Sequence, residues 1–337
     1  MILRGIDFGY VINASGARNF FGEGYPYHRY FRWCGLRYDS STFVAKTTTL
    51  QARLRPDKKE GNMPMRADGM TPVEFKPACI KVKAWQGITL NAVGLSGPGA
   101  EVLLNQGRWQ QRREPFFISF MGMGDKLQRL DELRQFVELF SEHQHEFRSR
   151  FGLKLNFSCP NVGLNPRELV EEVGEALDLA ASLGIPLVPK LNATVPVGLV
   201  VEAARHQAFD ALCISNTIPW GQLSERISWR ELWGTDVSPL AHLGGGGLSG
   251  PPLLPIVTDW IRRARTAGFG RPIIGGGGII SREGVDRMVE AGADAISLGA
   301  VSIVRPWRVQ GLISYANDLL HRRHHRSIAA VRPHISA

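Results

Sequence analysis

The chain has 337 residues, 44% of them hydrophobic and 21% charged, an ordinary globular composition with enough length for one sizeable core. Its formal net charge of +9 gathers partly in His321-Arg322-Arg323-His324-His325-Arg326 and in Arg108, Arg112 and Arg113, and no nucleic-acid motif or stacking array accompanies it. No apolar stretch approaches the roughly 20 residues that span a bilayer, and no leader pattern opens the chain, so an unprocessed cytoplasmic protein is expected.

In chain order, apolar runs at 10–13 and 43–46 predict the first strands. Residues 51–115 break the rhythm with charged, Pro- and Gly-containing sequence that sustains no helix. A strand follows at 116–120, then a helical stripe of Leu127, Leu130, Leu133, Phe136, Val137 and Phe140. The strand at 153–157 leads past Pro166 into a second stripe of Leu169, Val170, Val173, Leu177, Ala180 and Leu183. Strand 187–191, helix 197–206 and strand 211–214 continue the alternation. Residues 219–252 interrupt it again, with Trp220, Trp229, Trp233 and a glycine run. Helix 253–265, strand 272–274, helix 282–290, strand 295–298 and helix 307–320 complete the pattern, and a basic tail starts at about 321.

Short continuous Val/Ile/Leu/Phe runs suit strands buried on both faces of a parallel sheet. About eight such strands alternating with helices predict an α/β fold, a single (β/α)8 TIM barrel over 1–337. Both interruptions follow strand ends, which places the inserted loops at the C-terminal face, where barrel sites are built.

Chemistry concentrates at those strand ends. Gly275-Gly276-Gly277-Gly278 and Ser297-Leu298-Gly299-Ala300 each run from a strand into a helical segment. Paired turns of this kind let backbone N–H groups approach a phosphate. Lys46 and Lys190 each end a predicted strand, and a lysine in an apolar run is costly unless it meets an anion or solvent. Asn91, Asn156, Asn161 and Asn216, with Thr217 beside the last, offer both donors and acceptors at strand ends or in the adjoining loops. Of the four cysteines, Cys34, Cys79, Cys159 and Cys213, none forms a C-x-x-C pair, so neither a zinc site nor a disulfide framework is expected. Cys159 stands apart because Pro160 stiffens its loop, where a thiol of lowered pKa would serve as a base.

The loop Asn156-Phe157-Ser158-Cys159-Pro160-Asn161 resembles the signature of the cysteine-type dihydroorotate dehydrogenases. Phe43-Val44-Ala45-Lys46-Thr47-Thr48-Thr49, Asn91-Ala92-Val93-Gly94-Leu95, Lys190, Ser215-Asn216-Thr217 and Gly246-Gly247-Leu248-Ser249-Gly250 follow in family order, and then the two glycine turns. The resemblance implies oxidation of dihydroorotate to orotate in pyrimidine biosynthesis, with flavin mononucleotide (FMN) as cofactor, Cys159 as general base and no metal. It assigns substrate contacts to Lys46, Asn91, Gly94, Leu95, Asn156, Asn161, Asn216 and Thr217. Flavin contacts would come from Ala14, Ser15, Gly16, Lys46, Thr47, Asn156, Lys190, Ser215, Gly247, Ser249, Gly250, Gly277, Gly278, Gly299 and Ala300. Lys46 would lie between flavin and substrate, and Lys190 would face the pyrimidine edge of the flavin.

The sequence departs from the family at Gly61-Asn62-Met63-Pro64-Met65, Ala92-Val93, Ser96-Gly97 and Val162-Gly163-Leu164. A related dihydropyrimidine (uracil or thymine) oxidoreductase module, a phosphate-binding isomerase barrel without flavin, and a barrel that has lost catalysis remain alternatives. A small-molecule substrate is expected, without nucleic acid or membrane, and with a homodimer or an electron-transfer subunit as partner.

Overall fold

The computed structural model describes residues 1–55, 57, 60–157, 166–214 and 216–331, with the side chains of 166 and 326–331 left aside. The chain opens on a hairpin the sequence did not announce, β1 (Ile2–Leu3) and β2 (Ile6–Asp7), turned by Arg4 and Gly5 at positive φ. After β3 (Val11–Asn13) and the short α1 (His28–Phe31), the first interruption supplies β4 (Ile80–Lys83), β5 (Ile88–Asn91) and α2 (Ala100–Asn105). Then come β6 (Phe116–Phe120), α3 (Lys126–His143), β7 (Phe151–Asn156), α4 (Pro166–Ala181), β8 (Leu187–Leu191), α5 (Val197–Ala203) and β9 (Leu212–Ile214). The second interruption holds β10 (Ile218–Pro219), α6 (Trp229–Trp233) and β11 (Gly247–Ser249). The chain ends with α7 (Leu253–Thr266), β12 (Ile273–Gly276), α8 (Arg282–Glu290), β13 (Ala295–Leu298), α9 (Val301–Val304) and α10 (Val309–Val331).

A curled parallel sheet of seven strands runs in the order β3-β13-β12-β9-β8-β7-β6. The strand expected at 43–46 is not a continuous ladder. Segment 42–48 instead touches both edge strands through single parallel bridges, Ile12 to Thr42 on β3, and Val44 to Phe117 and Thr48 to Phe120 on β6. From Val44 to Thr48 it advances four residues while β6 advances three, so one residue bulges and the ladder breaks. The Lys46 N–H accordingly donates to the Asn19 carbonyl at 3.0 Å.

Side chains alternate across this sheet into two apolar clusters. Ile12, Val44, Phe117, Val188, Cys213, Ile274 and Ala295 face inward, where Leu3, Ile6 and Phe8 of the opening hairpin cap them. Their neighbours Val11, Phe43, Phe116, Leu187, Leu212, Ile273 and Ile296 pack outward with the helices. α3 begins on a capping box, Asp125 with Gln128, and is tied to α4 by the buried Arg129–Glu172 pair at 2.7 Å. The two interruptions, far apart in sequence, meet in one antiparallel sheet of order β10-β11-β5-β4.

Candidate active site

The late ends of the parallel strands carry the polar residues. Asn156 and Lys190 are register partners on β7 and β8, and Lys190 in turn pairs with Cys213 on β9. Just beyond β9, Asn216 Nδ2 donates to Asn156 Oδ1 at 3.0 Å, and the Thr217 N–H donates to Asn216 Oδ1 at 2.9 Å. Two asparagines holding each other in this way have fixed orientations. A Cβ on Gly247 would strike Thr217 Oγ1 at 2.2 Å, so only glycine lets β11 lie against this group. Asn91 ends β5 and donates to the Gly247 carbonyl at 3.4 Å, which brings the added sheet to the same place.

Lys46 is 7% exposed, and no carboxylate among the described residues pairs with it. Its ammonium sits 4.7 Å from the Phe20 ring centre and donates to the Ser96 carbonyl. Burial pulls its pKa down to about 7, against a smaller upward effect of Cys79. Lys190 has no hydrogen-bond or ion-pair partner among the described residues, and burial brings its pKa down to about 8. A buried and a half-buried ammonium group at one end of a sheet, neither with a carboxylate partner among the described residues, form a site for anions.

Segment 92–96 is held in place from outside. Asn62 donates from its side chain to the Ala92 carbonyl at 2.7 Å, Arg53 Nε to the Gly94 carbonyl at 3.0 Å, and the Met63 N–H to Ser96 Oγ at 2.8 Å. Gly94 and Leu95 both have positive φ, so this loop presents its backbone under tension from its clamps. The Ser96 carbonyl then meets Lys46, which joins the loop to the site.

The expected cofactor residues also converge. The Ala14 N–H donates to the Leu298 carbonyl at 2.9 Å, a Cβ on Gly299 would meet the Ala14 Cβ at 2.9 Å, and one on Gly16 would lie 3.8 Å from Lys46. A Cβ on Gly278 would meet the Gly250 carbonyl at 2.7 Å, so the turn after β11 leans on the turn after β12. Among the described residues, the N–H groups of Gly277, Gly278, Gly299 and Ala300 donate to no acceptor, and the buried Ser15 hydroxyl has no partner. A row of unused donors beside a positive site fits a phosphate, the group by which an FMN would be held there. Thr47 is the exception, because its hydroxyl is taken by Ser119 at 2.9 Å. Ser158, Cys159, Pro160, Asn161 and Ser215 lie outside the described residues.

Several residues of this end were not singled out from the sequence. Tyr25 donates to the Gly16 carbonyl at 2.6 Å, and burial drives its pKa well up. Lys154 is 1% exposed, one inward step before Asn156, and meets Cys213 Sγ at 3.7 Å. A lysine inside the apolar run 153–157 was the same signal that marked Lys46 and Lys190. Nothing local marks Arg53 or Asn62, whose partners lie about 30 to 40 residues away.

Comparison with known proteins identifies the group. Residues 44–315 match the family described as dihydroorotate dehydrogenase. The chain belongs to this family. It is 30% identical over 319 residues to a dihydroorotate dehydrogenase B (NAD(+)), catalytic subunit, of Listeria welshimeri, covering 90% of this chain and 87% of that one. The subunit of the same description from Anoxybacillus flavithermus is 28% identical over 324 residues, 92% and 86% of the two chains. Among solved structures, a dihydroorotate dehydrogenase of Eimeria tenella in complex with ferulenol superposes with a TM-score of 0.66 at 19% identity, over 95% of this chain and 84% of that one. That last likeness establishes the fold. No helix among the described residues is long and apolar enough to cross a membrane.

Proposed function

We infer that this chain is the FMN-dependent enzyme that oxidises dihydroorotate to orotate in pyrimidine biosynthesis. The observation that carries this reading is the pair Lys46 and Lys190, without a carboxylate partner among the described residues, at the end of the sheet that also carries Asn156, Asn216 and the two glycine turns. The strands, with 42–48 as the eighth stave, form the (β/α)8 barrel that presents these residues at its C-terminal mouth.

The N–H groups of Gly277, Gly278, Gly299 and Ala300 hold the FMN phosphate, and Ala14, Ser15, Gly16, Gly247, Ser249 and Gly250 line the cofactor. FMN, when bound, supplies the acceptor for the substrate hydride. Lys190 stabilises negative charge on the pyrimidine side of the ring, and Lys46 meets the substrate carboxylate. Asn91, Asn156, Asn161, Asn216 and Thr217, with the Gly94-Leu95 backbone, orient the pyrimidine. Cys159 takes the proton from the carbon beside the carbonyl and passes it to solvent. Electrons then leave to a soluble partner subunit in the cytoplasm, as the relatives' description as catalytic subunits suggests.

The test is anaerobic mixing of the yellow protein with dihydroorotate, dihydrouracil and dihydrothymine while the flavin absorbance is followed. Bleaching by dihydroorotate alone is expected. Bleaching by either of the others instead would move the chain to dihydropyrimidine oxidation, and a colourless protein that takes up no FMN would overturn the flavin reading.

A further inference from the structure

The arginines that stand out in the sequence at 108, 112 and 113 are joined in the fold by a fourth, Arg18, on the outer side of the sheet. Arg112 lies 4.2 Å over the Phe43 ring and 5.3 Å from that of Phe116. Arg18 lies 4.9 Å over Tyr38 and 5.5 Å from Phe43, and Arg108 lies 4.4 Å over Phe21. Phe43 and Phe116 belong to the outward-packed cluster, whereas their chain neighbours Val44 and Phe117 face inward. The guanidinium groups are thus on the outer side of the sheet, against Phe43 and Phe116 near the early ends of their strands.

Arg18 and Arg112 are close together, since Arg18 Nη2 and Arg112 Nη1 lie 3.5 and 3.6 Å from the same point, a Cβ built on Gly22. Arg112 donates one bond, from Nη1 to the Phe21 carbonyl at 3.2 Å, and its buried Nε has no partner. The Arg18 guanidinium has neither a hydrogen bond nor an ion pair among the described residues. The carboxylates facing the group are Glu23, Asp39 and Glu114, and none pairs with Arg18 or Arg112. Glu23 accepts the Phe21 N–H at 2.8 Å and lies 4.0 Å from Arg108, while Asp39 is taken by Arg37 at 3.6 Å. Burial lowers both guanidinium pKa values, with Arg112 brought down to about 10, and mutual repulsion adds to the effect on Arg112. Arginine stays charged, so two neighbouring, half-buried guanidinium groups without a counter-ion are unfavourable as they stand. Arg108, Gln111, Arg112, Arg113 and Glu114 line an open depression that reaches them from solvent.

We propose that Arg18 and Arg112, flanked by Arg108 and Arg113, bind a phosphoryl oxyanion at a second site, separate from the flavin. The planar forks match phosphate oxygens, and the aromatic rings beneath hold the forks in place without competing for their N–H groups.

The protein as purified is titrated calorimetrically with inorganic phosphate and with a nucleoside 5′-monophosphate, and its flavin absorbance is recorded alongside. One saturable site is expected, weakened about tenfold or more in Arg18→Gln and in Arg112→Gln, with flavin content unchanged. Arg112→Lys, which keeps the charge and loses the fork, should fall between wild type and Arg112→Gln. Phosphate should raise the unfolding temperature of the wild type and not of the glutamine variants. Tighter binding of the nucleotide would identify a larger phosphorylated effector, and equal affinity a free oxyanion. The proposal is overturned by absence of saturable binding for both ligands, or by wild-type affinity in both folded glutamine variants.

Discussion

The two halves of the inner face differ although the same strands build them. Toward the early ends, Ile12, Phe117, Val188, Ile274 and Ala295 make an apolar plug closed by Leu3, Ile6 and Phe8. One inward step further on, the same strands carry Ala14, Ser119, Lys190, Gly276 and Ser297. The period-two geometry of a strand places these sets on one face, about 7 Å apart along the axis. The plug stabilises by burial and carries no chemistry. The other half carries ammonium groups with no carboxylate partner, and N–H groups with no acceptor, among the described residues, and that polarity is what a bound anion would offset. Stability and chemistry are therefore separated along each strand.

That division predicts opposite outcomes for substitutions in the two halves. The largest effect on chemistry is expected from Cys159→Ala, which should slow flavin reduction by dihydroorotate about 10²- to 10⁴-fold and leave flavin content intact. The half-reaction measured by stopped flow decides this, and a wild-type rate would remove Cys159 from the mechanism.

In the plug, Phe117→Ala removes a ring that is fully buried and stacked on Phe8 at 4.2 Å. It should cost about 3–5 kcal/mol of unfolding free energy while the remaining folded protein binds flavin normally. Denaturant unfolding with flavin fluorescence separates the two effects. Loss of flavin at unchanged stability would dissolve the division.

Lys190 gives the comparison a pH axis. Its pKa is depressed in the fold to about 8, against an ordinary value of 10.5. Below about pH 8 the folded flavin-free protein carries the full penalty of a buried charge, and the penalty fades as pH rises from 8 toward 10.5, where the unfolded chain also loses the proton. Stability of the flavin-free protein should thus rise across that window relative to Lys190→Met. Parallel pH profiles for the two proteins would contradict this, and FMN should flatten the difference.

The smallest effect is expected at Lys154, the one charge within the plug, whose pKa burial also lowers. Replacing it with Met removes a buried amine that meets the Cys213 sulfur and lies 5.2 Å over the Phe117 ring, with no carboxylate partner among the described residues, and should leave stability unchanged or raise it by about 1 kcal/mol. A loss of more than about 2 kcal/mol would give Lys154 a structural role that its contacts do not suggest.

Much of this arrangement was legible in the residues. Apolar runs marked all seven strands of the main sheet, because strands buried on both faces have no polar positions to blur them. The helix at 282–290 agreed at both ends, since Ser281 caps it and Glu290 is followed by a turn. Segment 42–48 did not behave as the run suggested, because its bulge depends on β6, some 70 residues away. The small sheet that joins the two interruptions was equally hidden, since each contributes short strands whose partners lie across the chain. Lys154 was legible and overlooked, a charge within an apolar run like the two lysines that were noticed.

By itself the sequence determined the repeating strand–helix pattern, the family, and the residue types the chemistry needs: lysines and asparagines at strand ends, and glycines where backbone must approach backbone. These follow from local periodicity and motif order, which need no knowledge of distant contacts. The tertiary structure alone decided which of those groups are left without partners. Lys46 and Lys190 are poised for anions because no carboxylate among the described residues reaches them, and Arg18 joins Arg112 because a loop folds back over Phe43. Whether a charge is paired depends on every element that packs around it, and that sum is settled only when the chain has closed on itself.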